Sequence, residues 1–344
     1  MDKNAPPCYS FVNFISPEKL LSWLLGFEMN ERTYCSELTR SSGEPIGGTA
    51  PFADQFIFIT WPKNLWTHEA LESRGGFPMG LKQWSKSNSQ PGNKISIRLL
   101  SQSGIGTDGV SLFFYPQAKK LSRVKPDQIT KILERWLTFP EDPNLEWETV
   151  DKEQLFVCTH GRHDLCCAKY GQVVYQRLRD EILSRGLELE VWEASHLGGH
   201  RFAANLMHFP GGHSHGHLEE DMVPAFLDTW QAGRIHAPTY RGCSFLEGKE
   251  QAASAQLIQY CADSGWDAEL DFNEIGEGTE SEFHIEARLQ PRKLLKAVET
   301  GNTIPQRIRA CFRSKEFQNP GACDALNEIK IRKSWVIHQV QILE

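Results

Sequence analysis

Residues 155–194 read LFVCTHGRHDLCCAKYGQVVYQRLRDEILSRGLELEVWEA, and their pattern is the clearest indication of the chain's architecture. It opens with a short apolar run, LFVC, which predicts a buried strand. Apolar side chains then recur at steps of four up to Gly186, which predicts a helix, and LELEVWEA alternates as a second strand. Strand, helix and strand in this order predict a βαβ unit with parallel strands.

Cysteines and histidines fall on the loops of this unit. Cys158 ends the first predicted strand, Cys167 opens the helix, and His196 and His200 follow the second strand in the sequence HLGGH. Parallel sheets place their sites beyond the carboxyl ends of the strands, so we expect all four side chains at one edge. The two glycines between the histidines permit positive φ values and leave room for a cofactor to approach the backbone.

Several kinds of site would use four such residues. Thiolate and imidazole are ligands of zinc and of iron–sulfur centres. The absence of a CxxC motif disfavours a thioredoxin-type dithiol. Zinc modules usually space their cysteines more closely than Cys158 and Cys167, which are nine positions apart. An iron–sulfur centre with two thiolates and two imidazoles takes ligands from separate loops. Buried cysteines and histidines without a chemical role remain the alternative.

The first part of the chain predicts another α/β unit. FIFITWP, KISIRLLSQ and GVSLFFYP predict strands, the last two joined by a turn, and PDQITKILERWL has helical spacing. A short helix is predicted to begin near Ser16 and Pro17. The segment CSELTRSSGEPIGGTAP, which carries Cys35, predicts a loop because it is rich in glycine, proline and serine.

These patterns predict a two-lobed α/β protein with a terminal extension. Residues 1–138 form the first lobe, the acidic and proline-rich residues 139–154 a linker, residues 155–250 the second lobe, and residues 251–344 a small α+β extension. In the extension, SAQLIQYCADSG predicts a helix, whereas EFHIEARLQ and SWVIHQVQIL predict strands. Both lobes place strands and a helix in comparable order, which is what two diverged copies of one fold would give.

Composition narrows the class of protein. Of the 344 residues, 40% are hydrophobic and 24% are charged, which is typical of soluble globular proteins. The net charge of −7 disfavours nucleic acid as a partner. The start of the chain lacks the features of a secretory signal, and LLSWLLGF is too short to span a bilayer, so we expect a cytoplasmic protein without a membrane partner. Nine cysteines in a reducing compartment are expected to be free thiols or metal ligands.

The segments CTHGRHDLCC and HLGGHRFAANLMHFPGG together resemble the paired signature of the sucrase/ferredoxin-like family. The resemblance covers residues 30–242 and includes the earlier GEPIGGTAP and the later YRG. It implies that both lobes are thioredoxin-like, the first in degenerate form, and that the second holds a [2Fe-2S] cluster. The implied ligands are Cys158, Cys167, His196 and His200.

Within the resemblance, Cys166 is the spare neighbour of Cys167. The family's second ligand stands nine residues after the first and three after an aspartate, here Asp164. His163 stands where family members usually carry arginine. The histidines of HSHGH at 213–217 also depart from the pattern. Composition predicts a solvated His-rich turn there, and a metal site at His213, His215 and His217 is the alternative.

The resemblance implies an electron carrier rather than an enzyme, with a role in redox homeostasis and a redox protein, reductase or acceptor, as its partner. The sequence leaves two alternatives open. One is an interaction protein with a structural Cys2His2 zinc, and the other is a cofactor-free thiol protein of the thioredoxin type. No pair of carboxylates in the sequence can be singled out for glycoside hydrolysis.

Overall fold

The structure, a computed structural model, describes residues 32–140, 142–276, 278–292 and 304–343. The described residues from Tyr34 onward belong to one compact unit. The helix predicted near Ser16 and Pro17 lies outside the described residues. Within the described ranges, every helix is too short or too polar to cross a membrane.

The described residues form a mixed α/β structure. Its helices are α1 (Cys35–Ser42), α2 (Leu81–Asn88), α3 (Ile129–Thr138), α4 (Gln172–Arg185), α5 (Val223–Gln231) and α6 (Gly248–Asp263). The strands of a large sheet are β1 (Gln55–Thr60), β2 (Ile95–Ser101), β3 (Val110–Tyr115), β4 (Lys119–Val124), β5 (Glu148–Thr149), β6 (Glu153–Cys158), β7 (Leu189–Ala194), β8 (Leu206–Phe209), β9 (His213–His215) and β10 (Tyr240–Cys243). A smaller sheet contains β11 (Ala268–Ile275), β12 (Glu282–Pro291), β13 (Arg307–Pro320) and β14 (Ile329–Leu343).

The large sheet has the strand order β10-β9-β8-β6-β7-β2-β1-β3-β4-β5. In the first lobe β1 and β2 are parallel and joined through α2, and β3 and β4 follow as antiparallel strands beside β1. The second lobe repeats this plan with β6 and β7 joined through α4, and with β8 and β9 beside β6. Both lobes are thus thioredoxin-like, and the α/β class predicted from the sequence is confirmed.

The two lobes join edge to edge. Strands β2 and β7 pair antiparallel over a short stretch, with Leu100 opposite Ala194. Just beyond the pair, the Ser195 N–H donates to the Leu99 carbonyl at 2.8 Å, and the Leu99 N–H donates to the Ser195 hydroxyl at 2.9 Å. The predicted linker, residues 139–154, contains β5 and the first residues of β6, so the chain between the lobes also contributes to the sheet. The predicted domain boundaries themselves stay a prediction.

Alternate residues of strand β1 face two different cores, as the twofold period of a strand requires. Ile57 of β1 faces a core that includes side chains of α2 and α3. Phe58 faces a core that the two lobes share, where its ring lies 4.4 Å from that of Phe156 in β6. In the same core, Tyr115 of β3 stacks on Phe209 of β8 at 4.3 Å. The shared aromatic core holds the second lobe against the first.

The small sheet is antiparallel and packs on helix α6 through Leu257 and Phe283. It has the order β11-β12-β13-β14, so β14 is an edge strand of 15 residues. The side-chain amide of Gln256 in α6 donates to the Trp335 carbonyl and accepts from the Ile337 N–H at 3.0 Å. The helix and the two strands predicted in this extension are present, and β11 and β13 were not predicted.

A buried carboxylate connects this small sheet to the second lobe. Glu44 accepts two hydrogen bonds from the Arg201 guanidinium, at 2.8 and 3.0 Å. It also accepts from the side-chain amide of Asn319 in β13 at 2.5 Å and from the hydroxyl of Ser334 in β14 at 3.4 Å. The Glu44 side chain is fully buried and that of Arg201 is 16% exposed.

Two sequence interpretations need correction. Cys35, expected in a loop, begins helix α1. The expected solvated turn at 213–217 instead contains strand β9, and His215 is buried in it.

Candidate metal centre

Cys158 and Cys167 are held close together by a helix that approaches the end of a strand. Cys158 is the last residue of β6, where its N–H donates to the Asn205 carbonyl at 2.9 Å. Cys167 begins a single π-helical turn, Cys167–Gly171, that leads into α4. A Cβ atom on Gly171 would lie 1.9 Å from the Cys158 carbonyl oxygen, so only glycine permits this approach. Both thiols are buried.

The HLGGH turn follows β7 as predicted, and Gly198 and Gly199 have φ values of 93° and 72°. The buried guanidinium of Arg241 holds the turn by donating to the Gly198 carbonyl at 3.0 Å and to the Asn205 side chain at 2.8 Å. A Cβ atom on Gly199 would lie 2.4 Å from this guanidinium. Arg241 belongs to the YRG segment, and its carbonyl accepts from the Gly48 N–H at 2.8 Å, so the quoted motif segments meet here.

Three of the four predicted ligands form one group. The Sγ atoms of Cys158 and Cys167 and a ring nitrogen of His196 all lie within 4.8 Å of one another. A hydrogen bond from the Cys167 thiol lowers the pKa of Cys158 well below its ordinary value, and the same bond, with burial, raises the pKa of Cys167. The Nδ1 atom of His196 is buried and has no hydrogen-bond partner in the described part of the chain. The group thus offers a thiolate and a free imidazole nitrogen.

The fourth predicted ligand, His200, lies beside this group and is not a member of it. Its ring centroid is 5.7 Å from that of His196. Its Nδ1 atom lies 3.0 Å from a carboxylate oxygen of Asp164 and 3.4 Å from the Sγ atom of Cys35. Because Nδ1 is engaged with Asp164, Nε2 is the nitrogen of His200 that remains for a metal.

A second group of metal-ligating side chains lies next to the first, and the sequence interpretation missed it. It consists of Cys35, Asp164, Cys166 and Cys323, all buried, with their ligand atoms within 4.8 Å of one another. We call it the Cys3Asp group. Cys166, interpreted as a spare residue, is at its centre. In the sequence, the one indication of the Cys3Asp group was that Cys166 and Cys167 are adjacent. Cys35 and Cys323 are 131 and 157 residues away from Cys166.

Further histidines surround His196. The ring of His163 stacks on that of His196 with 3.8 Å between centroids, and the His196 N–H donates to Nδ1 of His160 at 3.3 Å. Burial lowers the pKa of His163 to about 4, so this ring is neutral at pH 7. His163, which departs from the family pattern, therefore packs against the predicted ligand His196 as a neutral aromatic ring.

The histidines of HSHGH hydrogen-bond to nearby side chains. Nδ1 of His215 lies 3.0 Å from the Thr239 hydroxyl, and Nδ1 of His213 lies 3.1 Å from the Tyr240 hydroxyl. Burial lowers the pKa of both histidines. These contacts satisfy one ring nitrogen of each histidine within the sheet.

Comparisons with known proteins find one matching family model. The model described as Sucrase/ferredoxin-like matches residues 46–242, which is more than half of the 344 residues. Two curated relatives are called altered inheritance of mitochondria protein 32. The protein from Debaryomyces hansenii is 29% identical over 28% of this chain and 37% of its own length, and that from Clavispora lusitaniae is 28% identical over 30% and 39%. The chain thus matches less than two fifths of the length of these relatives.

Among solved structures, a thioredoxin-like [2Fe-2S] ferredoxin from Aquifex aeolicus is similar to part of the chain. The match covers 26% of this chain and 89% of that one, with 13% identity and a TM-score of 0.25. A second structure of that ferredoxin, the wild type at 1.5 Å resolution, matches 26% of this chain and 95% of its own with a TM-score of 0.24.

Proposed function

Because the chain belongs to the sucrase/ferredoxin-like family, we propose that it is an electron-transfer protein whose second lobe carries a [2Fe-2S] cluster. The proposed ligands are Cys158, Cys167, His196 and His200. A redox protein that donates or accepts one electron is the proposed partner.

The observation that carries the proposal is the buried group of Cys158, Cys167 and His196. A partly buried imidazole whose Nδ1 atom is buried without a hydrogen-bond partner is costly unless something binds it, and a metal ion would. The same group contains a thiol whose pKa is lowered, and thiolate is the form that binds iron. The residues present therefore fit a cluster with mixed thiolate and imidazole ligands.

The position of His200 also fits a centre with two metal ions better than one with a single ion. Four ligands of one zinc must surround a single point, whereas the two irons of a [2Fe-2S] cluster are each held by a separate pair of ligands. His200 stands outside the group formed by the other three residues. A metal-bound histidine usually donates its other ring N–H to a carboxylate, and Nδ1 of His200 is placed to donate to Asp164.

When bound, a [2Fe-2S] cluster accepts or releases one electron. The chain's own residues set the conditions for this exchange. Burial of Cys158 and Cys167 limits the access of water, and the close approach at Gly171 fixes the distance between strand β6 and the helix that carries Cys167. Two neutral imidazoles in place of two thiolates make the centre less negative. We therefore expect a reduction potential above that of plant-type ferredoxins.

Metal analysis of the full chain, purified without oxygen, tests the proposal. We expect two irons and two sulfides per chain at this site, a red-brown colour and, after reduction, an EPR signal of the kind that histidine-ligated [2Fe-2S] centres give. A colourless protein with zinc bound by two sulfurs and two nitrogens would replace the proposal with a structural zinc site at the same residues. A protein with neither metal, and with reactive thiols at Cys158 and Cys167, would support the cofactor-free alternative.

A further inference from the structure

We propose that the Cys3Asp group binds one Zn²⁺ ion, separate from the proposed cluster, through Cys35, Cys166, Cys323 and Asp164. None of these residues is a proposed cluster ligand. The inference therefore stands whether or not the second lobe carries a cluster.

The distances between the ligand atoms suit a single metal ion. The Sγ atoms are separated by 3.4 Å between Cys35 and Cys166, by 3.0 Å between Cys166 and Cys323, and by 3.6 Å between Cys35 and Cys323. Tetrahedral zinc with bonds of about 2.3 Å holds its sulfurs roughly 3.8 Å apart. Binding would thus need each sulfur to move by only a few tenths of an ångström.

Asp164 supplies an oxygen at the same place and is itself held in position. One oxygen of its carboxylate accepts from the Cys166 N–H at 2.8 Å, and the other accepts from the Cys323 N–H at 3.1 Å and lies 3.0 Å from Nδ1 of His200. Fixed hydrogen bonds of this kind orient the ligands of metal sites. Three sulfurs and one carboxylate oxygen make up the four-coordinate set that zinc accepts.

An ordinary hydrophobic cluster of cysteines does not account for this arrangement. Apolar contacts in cores are spaced at about 4 Å, and a carboxylate is excluded from such clusters because burying its charge is costly. Here a carboxylate and three sulfurs that lie closer than 4 Å occupy one buried site.

The ligands come from three distant parts of the sequence. Cys35 begins helix α1, Cys166 precedes the π-helical turn, and Cys323 lies after strand β13. A zinc ion here would fasten the start of the compact unit and the small sheet to the segment that carries Cys167. Its role would be to fix the position of that segment rather than to carry electrons, since zinc has no redox chemistry.

Zinc and iron should be measured together on the full chain, purified without oxygen in buffer that contains zinc sulfate and then dialysed. We expect one zinc per chain, and X-ray absorption at the zinc edge should give three sulfurs at about 2.3 Å and one oxygen or nitrogen at about 2.0 Å. Absence of zinc, or zinc with two sulfurs and two nitrogens, would overturn the inference. The iron content of the same sample reports separately on the proposed cluster, so the two proposals can fail independently.

A pair of cysteine variants tests which residues hold the zinc. Cys323→Ala should lose the zinc and keep the iron content and visible spectrum of the parent protein. Cys261→Ala removes a cysteine that is also buried, on the face of helix α6 that packs against the small sheet, and should keep the zinc. Cys323→Ala protein with zinc still bound by three sulfurs would refute the assignment. If Cys323→Ala does not fold, the ligand set measured on the unaltered chain decides the question.

Discussion

Cys166 and Cys167 are neighbours in the sequence, yet their side chains belong to different groups. Consecutive residues of a helical turn point about 100° apart, so one thiol faces Cys158 and the other faces Cys35 and Cys323. The adjacent pair therefore lies where the two proposed metal sites meet. The His200 imidazole also connects them, since its Nδ1 atom lies 3.0 Å from the Asp164 carboxylate and 3.4 Å from the Sγ atom of Cys35.

Serine substitutions at this pair should separate the two sites. Cys167→Ser should abolish or severely destabilise the cluster and so lower the iron content and the visible absorption, because a serine hydroxyl is a poorer ligand for iron than a thiolate. Cys166→Ser should keep both, since its side chain faces the Cys3Asp group. Iron analysis and absorption spectroscopy of the two variants measure the effect. The opposite result would move the proposed ligand by one residue.

His217 should make stability depend on pH. Burial, with smaller effects from Arg40 and Arg241, lowers the pKa of this histidine from 6.5 to about 4. The unfolded chain binds the proton first as the pH falls, so the stability that neutral His217 contributes is present above about pH 6.5 and is lost toward pH 4. The loss between pH 7 and pH 5 should be about 1–2 kcal/mol.

The variant His217→Asn tests this pH dependence. Asparagine tolerates the φ of 52° at this position and does not titrate. Urea unfolding measures the unfolding free energy at pH 7 and at pH 5. The decrease from pH 7 to pH 5 should be smaller in the variant than in the unaltered chain by about 1–2 kcal/mol. An unchanged difference would mean that His217 titrates alike in the folded and unfolded chains.

Sequence spacing was sufficient to bring Cys158, Cys167 and His196 into one region, because their loops all follow a single βαβ unit. It was not sufficient for Cys35 and Cys323. Each lies more than a hundred residues from Cys166, and no local pattern encodes which distant strands and helices pack together. Their role in binding zinc, like the ligand role of the four predicted residues, stays a prediction.

At the scale of single elements, the π-helical turn Cys167–Gly171 controls the distance between strand β6 and helix α4. Gly171→Ala would place a methyl group 1.9 Å from the Cys158 carbonyl oxygen, which is a backbone atom and cannot move without disturbing the strand. We expect a loss of several kcal/mol in unfolding free energy together with reduced iron content. Thermal unfolding and iron analysis measure both effects.

Gly186→Ala is the matched control for this substitution. Gly186 ends the same helix with a φ of 62°, and a Cβ atom there meets nothing within 4 Å. Alanine should cost only about 1–2 kcal/mol, from its left-handed backbone conformation, and should leave the iron content unchanged. Equal effects of the two substitutions on iron would show that the close approach at Gly171 has no special role.

The elements that the sequence predicted best are those with long or regular patterns. Helix α4, with apolar residues at steps of four and a terminal glycine, is present and ends at Arg185 before Gly186. Strand neighbours could not be read from the same patterns. A turn joins β2 to β3 in the chain, which suggests that the two strands are neighbours in the sheet, yet β1 lies between them and pairs with both. The hydrophobic pattern of a strand does not specify its partners.

At the scale of the whole molecule, Glu44 connects the second lobe to the small sheet. Glu44→Ala would leave the Arg201 guanidinium largely buried without its carboxylate, and would leave the amide of Asn319 without an acceptor. Breaking a buried ion pair in this way typically costs about 3–5 kcal/mol. Urea or thermal unfolding of the variant measures the loss.

An exposed ion pair provides the comparison. Glu219 pairs with Arg40, and their side chains are 43% and 47% exposed. Glu219→Ala should change the unfolding free energy by about 1 kcal/mol or less, because solvent screens such pairs. If Glu44→Ala were no more damaging than Glu219→Ala, Glu44 would not hold the small sheet to the lobe.

The overall plan of two thioredoxin-like lobes was within reach of the sequence, since both lobes show strands and a helix in comparable order. The contacts that join the two lobes could not be predicted from the sequence. The pairing of β2 with β7 involves few residues, and the aromatic core shared by Phe58 and Phe156 joins strands about a hundred residues apart. Such contacts depend on the shape of both sheets after folding rather than on any local motif.

The 15-residue edge strand β14 has a consequence for the behaviour of concentrated solutions. A long edge strand offers free backbone groups to other chains and is a common starting point for aggregation. In β14, the Gln256 amide occupies two of these groups near the middle, and the charged side chains of Lys330, Arg332 and Lys333 follow one another in its first part. Like charges on two such edges repel one another, and salt weakens that repulsion. Colloidal stability should therefore decline as ionic strength rises.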